Sequence, residues 1–120
     1  MTVDIVHALR VACHFWPWER AFWIGLVHDA GEDGWSEWPL VWEYIWFPNI
    51  RALDALTRQP GEPYSTYIDR VIAAGGDAIR VKRADLIENY RRGWPSLRKR
   101  YAKAMLQIEK AHIITQENPQ

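Results

Sequence analysis

The chain has 120 residues, 48% of them hydrophobic, with 15 basic and 15 acidic side chains. That length argues for one domain with its own core, over residues 1–115, with 116–120 as a frayed tail. The balanced charge gives no support for binding nucleic acid or a membrane surface, and a single cysteine, Cys13, excludes an internal disulfide.

Residues 1–16 lack the basic-then-apolar order of a signal peptide. The apolar runs break before the roughly 20 residues that a bilayer requires. The expected compartment is therefore the cytoplasm.

Sheet signals are scarce, and helical spacing fills the chain. Val3, Val6, Leu9, Arg10 and Cys13 predict a first helix over about 2–15, with Cys13 as a small buried hydrophobe. Pro17 closes it. A second helix is expected over about 19–30, ending at Gly31, with Glu32-Asp33-Gly34 as a polar turn. Ser36 is a good N-cap for a third. Trp35, Trp38, Trp42 and Trp46 recur on it at three- and four-residue spacing, which predicts deep burial. Seven of the eight tryptophans lie between Trp16 and Trp46. That excess suits a homodimer interface or a substrate wall as well as a core.

Pro48 and Asn49 punctuate, and a fourth helix follows over about 50–57. Gln59 to Pro63 reads as a loop. Tyr64 to Ala74 is a fifth helix, stopped by Gly75-Gly76, and Asp77 can cap a sixth that runs to about Arg92. Gly93-Trp94-Pro95 breaks the pattern, and Pro95 or Ser96 opens a last helix to about Ile114. The expected fold is an all-α bundle of six to seven helices.

The sharpest chemical feature is His28-Asp29, followed at once by Glu32 and Asp33. Imidazole with carboxylate suits a transition metal. Neighbouring side chains on a helix diverge by about 100°, so His28 and Asp29 can share an ion only if other helices complete the site. His7 on the first helix and Asp85 on the sixth are the candidates, with Asn89 one turn beyond Asp85. His14 and His112 have no partner pattern and read as surface or interface residues. Arg98-Lys99-Arg100 reads as a solvated face, and Tyr64 and Tyr67 as packing residues first, with stacking on a base as the alternative.

In these residues the chain resembles the HD-domain metal phosphohydrolases. It is most similar to the alarmone (ppGpp) hydrolase domain of RelA/SpoT-type enzymes and to small phage and bacterial single-domain relatives. The resemblance runs from His7 to about Arg92. It rests on the ordered His7, His28-Asp29 and Asp85, on Glu32-Asp33, on Val81-Lys82-Arg83-Ala84-Asp85 with Asn89, and on Thr57 with the loop after it. Arg83 stands where that branch usually has leucine.

The resemblance implies a compact HD-type bundle. It implies one divalent ion on His7, His28, Asp29 and Asp85: manganese first, with iron, cobalt, nickel or zinc as alternatives. Glu32 and Asp33 would position or deprotonate the attacking water. Asn89 and Thr57 would contact substrate. The cations expected at the phosphates are Lys82 and Arg58, with Arg91 or Arg92 as further candidates. The implied activity is hydrolysis of a phosphorylated nucleotide, foremost a (p)ppGpp 3′-pyrophosphohydrolase-like reaction. The alarmone branch carries an arginine–lysine element before its first histidine, and residues 1–6 here hold no base. The base pocket is therefore expected to be incomplete or built otherwise. Two alternatives follow: an HD-family nucleotidase or deoxynucleotide phosphohydrolase, and a non-catalytic nucleotide- or partner-binding HD protein.

Overall fold

A computed structural model describes residues 5–28, 49–93 and 95–117. Within them lie six helices: α1 (Ile5–Ala12), α2 (Arg20–Val27), α3 (Ile50–Leu56), α4 (Tyr64–Ala74), α5 (Gly76–Arg92) and α6 (Pro95–Glu117). No strand occurs among the described residues. Asp29, Glu32, Asp33 and the Trp35/Trp38/Trp42/Trp46 stripe lie outside them. No described helix is long and apolar enough to cross a membrane.

The fold is organised around α5, which packs against all five other helices. Ala78, Val81, Ala84 and Leu86 bury its apolar positions. Ile24, Val27, Leu53, Ile68 and Val71 meet them from α2, α3 and α4, and Ala104 and Ile108 from α6. Each fully buried aliphatic side chain contributes about 1.5–3 kcal/mol relative to exposure, so this one cluster dominates cohesion.

The first helix ends at Ala12, before the expected Phe15, and the expected burial of Cys13 is corrected. His7, Ala8, Val11 and Ala12 are buried, whereas Val6, Leu9 and Cys13 are exposed. The cause is a close approach of α2. A Cβ at Gly25 would stand 3.3 Å from Val11 Cγ1 and 3.4 Å from the Ala12 backbone. Ala12 facing a glycine brings the backbones together, and Val6 and Leu9 are left outside.

Punctuation between helices follows the expected residues. Glu19 accepts from the Trp16 amide at 2.9 Å and from Arg80 at 2.8 Å, tying the start of α2 to α5. Gly75 adopts φ +67°, and its amide reaches the carbonyls of Val71 and Ile72. That left-handed residue lets α5 begin at once at Gly76, so Asp77 lies inside the first turn and is not the cap expected of it. α6 runs to Glu117, so its last turns take up the start of the expected tail. On the outer surface Trp16 and Trp18 stack face to face, with ring centroids 5.1 Å apart.

Candidate functional site

The middle of α5 carries polar side chains into the interior. Lys82 and Asp85 are one turn apart and both buried, and Glu88 follows on the next turn. Lys82 Nζ donates to Asp85 Oδ2 at 2.9 Å. His7 Nε2 from α1 lies 2.7 Å from Asp85 Oδ1, and His28 Nε2 from the end of α2 lies 3.2 Å from the same oxygen. The ligating atoms of His7, His28 and Asp85 all fall within 4.8 Å of one another. Three helices thus bring together three residues that are far apart in sequence.

Electrostatics hold the cluster in its charged form. Burial works against an ionised Asp85, but the Lys82 ammonium and hydrogen bonds from His28 and His7 outweigh it. They keep the carboxyl well below its ordinary range. Burial likewise disfavours charge on Lys82, but the Asp85 carboxylate and the oxygens of Tyr67 and Tyr64 reverse the balance and raise its pKa.

The second nitrogen of His28 decides its chemistry. Nδ1 sits 2.6 Å from the Gly25 carbonyl. A carbonyl only accepts, so Nδ1 carries the proton and donates. In the neutral ring Nε2 then presents a lone pair toward Asp85 Oδ1. As an imidazolium the ring instead donates from Nε2 to that oxygen, 3.2 Å away, and as a neutral ring it could turn the lone pair to a cation. Carbonyl-oriented imidazoles of this kind are the usual form of a histidine metal ligand.

No family model, curated protein or solved structure matches the chain. Its chemistry is read from its own geometry.

Above the cluster opens a cavity of about 310 Å³, with His7, Lys82, Asp85 and Asn89 on its lining. Of the expected substrate residues, Arg58 also lines it. Two others do not. The Thr57 hydroxyl donates to the Leu53 carbonyl at 2.8 Å, closing the end of α3. Arg91 faces the opposite side of α5, in a groove with Cys13 and His14, 3.5 Å from Glu88. Arg92, one position on, lines the cavity and donates to Asn89 Oδ1 at 3.3 Å. The 100° step between neighbours on a helix explains why only one of the pair can reach.

Two features, at His14 and Arg100, escaped sequence reasoning, and for Tyr64 the lesser alternative to packing gains ground. His14 is exposed yet paired, with Nε2 3.2 Å from Glu88 Oε1. Tyr64 lines the cavity as well as packing edge-on to Tyr67, whose hydroxyl donates to the Leu56 carbonyl at 2.7 Å. Arg100 belongs to the cavity and is not simply a solvated residue. Its signal was the spacing Arg100, Ala104, Ile108, whose last two members are buried.

Proposed function

We propose that this protein is a metal-dependent phosphohydrolase acting on a phosphorylated nucleotide, with an alarmone-type 3′-diphosphate as the leading substrate. The observation that carries this reading is the convergence of His7, His28 and Asp85 within 4.8 Å at a cavity also lined by Arg58, Arg92 and Arg100.

The donor set fits a divalent ion of the manganese, iron or zinc type. Two imidazoles and one carboxylate are borderline ligands that such ions share. His28 Nε2 and Asp85 Oδ1, 3.2 Å apart, could both turn a lone pair to such an ion. By resemblance Asp29 would be the fourth ligand. An ion held there polarises a phosphate oxygen and acidifies a water, in the best cases from a pKa of about 16 to about 7.

The chain's own residues do the rest. Lys82 keeps Asp85 ionised and fixes the direction of its second oxygen. The Gly25 carbonyl fixes the His28 ring. Asn89 and Arg92, bonded to one another, offer an amide N–H and a guanidinium to a phosphate at the floor. Cations placed in advance stabilise charge as it shifts toward the leaving group. Glu32 and Asp33 are assigned the water-positioning role by resemblance alone.

The pairing of Asp85 with Lys82 and both histidines favours a second reading, a buried polar network that holds no ion. One experiment separates the two. Manganese-loaded protein is offered a panel of nucleotides with 3′-diphosphate, 5′-triphosphate and monophosphate groups, and released phosphate and pyrophosphate are measured. Release that His28→Ala abolishes supports hydrolysis. Absence of release across the panel, with no manganese retained after dialysis, leaves the polar network as the reading.

A further inference from the structure

At the mouth of the cavity positive charge gathers around one ring. The Arg100 guanidinium carbon lies 4.6 Å from the centre of Tyr64, that of Arg58 lies 5.5 Å away, and Lys82 Nζ 5.8 Å. Lys82 is neutralised by Asp85. The other two are not: among the described residues, neither Arg58 nor Arg100 has a carboxylate within ion-pair distance.

The handling of Arg58 makes this pointed. Its Nε and Nη2 donate to the main-chain carbonyl of Glu62 at 3.1 and 2.9 Å. The Glu62 carboxylate, the natural counter-ion, is turned away to Arg70, which binds both of its oxygens at 3.0–3.1 Å. Arg70 also ties down the carbonyls of Asp54 at 2.8 Å and Thr57 at 2.7 Å. Arg58 is thus held in place by a neutral group, with no carboxylate in ion-pair contact. Three of its five N–H donors remain for another acceptor. Arg100 reaches the same ring from α6, stacked on its face.

We propose that Arg58 and Arg100, gathered at Tyr64, bind a second phosphate or diphosphate group of the substrate, separate from the one presented at His7, His28 and Asp85. The assignment rests on the hydrolase reading for the word substrate, but not for the anion site itself. A planar guanidinium fork matches phosphate oxygens in pairs. Two forks on different elements set a fixed distance from the floor of the cavity.

The test uses inorganic pyrophosphate as the probe and titration calorimetry on the full chain without added metal. The floor still offers Arg92, so Arg92→Ala, expected to keep most of the binding, separates the floor from the mouth. Wild type is expected to bind pyrophosphate, Arg58→Ala and Arg100→Ala each about tenfold more weakly. Arg100→Lys should fall between, because it keeps the charge and loses the fork. Arg83→Ala, which removes a distant cation paired with Glu109, should bind as wild type does. Thermal melts check that each variant is folded. No pyrophosphate binding by wild type, or equal binding by folded Arg100→Ala and Arg58→Ala, overturns the proposal. Arginine-dependent binding without turnover of any nucleotide would keep the anion site and reject hydrolysis.

Discussion

Lys82 and Asp85 form an ion pair inside the protein, 2.9 Å between Nζ and Oδ2, on one face of α5. Such a pair adds little net stability over an apolar pair, yet breaking it leaves one charge buried without its partner. Asp85→Asn is expected to destabilise the fold by about 3–5 kcal/mol and to remove metal binding. Urea unfolding gives the first quantity and metal retention after dialysis the second.

The same pair fixes a pH dependence. Lys82 has a folded pKa above its ordinary 10.5, so its contribution is fully present below pH 10.5 and is lost as pH rises toward the folded value. Tyr64 and Tyr67, both raised by burial, act in the same direction above pH 10. Stability measured in urea should therefore fall through the alkaline range, and in Lys82→Met the fall should be shallower. An unchanged slope in that variant would show that the pair is not the source.

Metal binding is checked without any turnover assay. A ligand present at about 100 times its dissociation constant stabilises the native state by about 2.7 kcal/mol. Manganese should raise the melting temperature of the wild type. His7→Ala and His28→Ala should each lose that rise, while Arg92→Ala keeps it. A rise of equal size in all four proteins would place the ion elsewhere.

Gly25 links packing to site geometry. In Gly25→Ala the new methyl group meets Val11 at 3.3 Å, so α1 must yield by a few tenths of an ångström. Overpacking costs about 1–3 kcal/mol, against a helix-propensity gain of at most about 1 kcal/mol. A net loss of about 1 kcal/mol is expected, together with weaker manganese binding because His7 moves with α1. Denaturation and a metal titration test the two halves.

Arg70 acts at a distance from the cavity that it does not line. Arg70→Ala removes hydrogen bonds to Glu62, Thr57 and Asp54. The expected loss is about 1–2 kcal/mol, modest because the site is partly exposed. It also frees the Glu62 carboxylate to approach Arg58, so pyrophosphate affinity should drop several-fold. Glu62 has its pKa lowered, first by the Arg70 hydrogen bond. Its stabilising contribution is present above pH 4.5 and lost in acid. In Arg70→Ala that part of the acid dependence should vanish.

The helices were legible because their ends are written in residues that break helical spacing, the rigid Pro17 and Pro95 and the permissive Gly75-Gly76 and Gly93. The convergence of His7, His28 and Asp85 was legible as a pattern of ligand types in order. What escaped depends on how helices meet. Cys13 and Leu9 are exposed because Val11 and Ala12 pack toward Gly25, a preference set by the neighbouring helix and not by spacing within α1. Arg91 and Arg92 differ only by rotation about α5. Thr57 turned to its own backbone, where a hydroxyl at a helix end finds a ready acceptor.

The cluster's distant origins also bear on kinetics. Asp85 is 78 residues from His7 and 57 from His28. Closing such loops comes late, after the local helices have formed. An ion bound by all three would act on the finished native state and hardly on the folding transition state. It should slow unfolding in proportion to its binding energy and leave the folding rate nearly constant, so that loaded protein resists proteolysis and heat through a longer native lifetime.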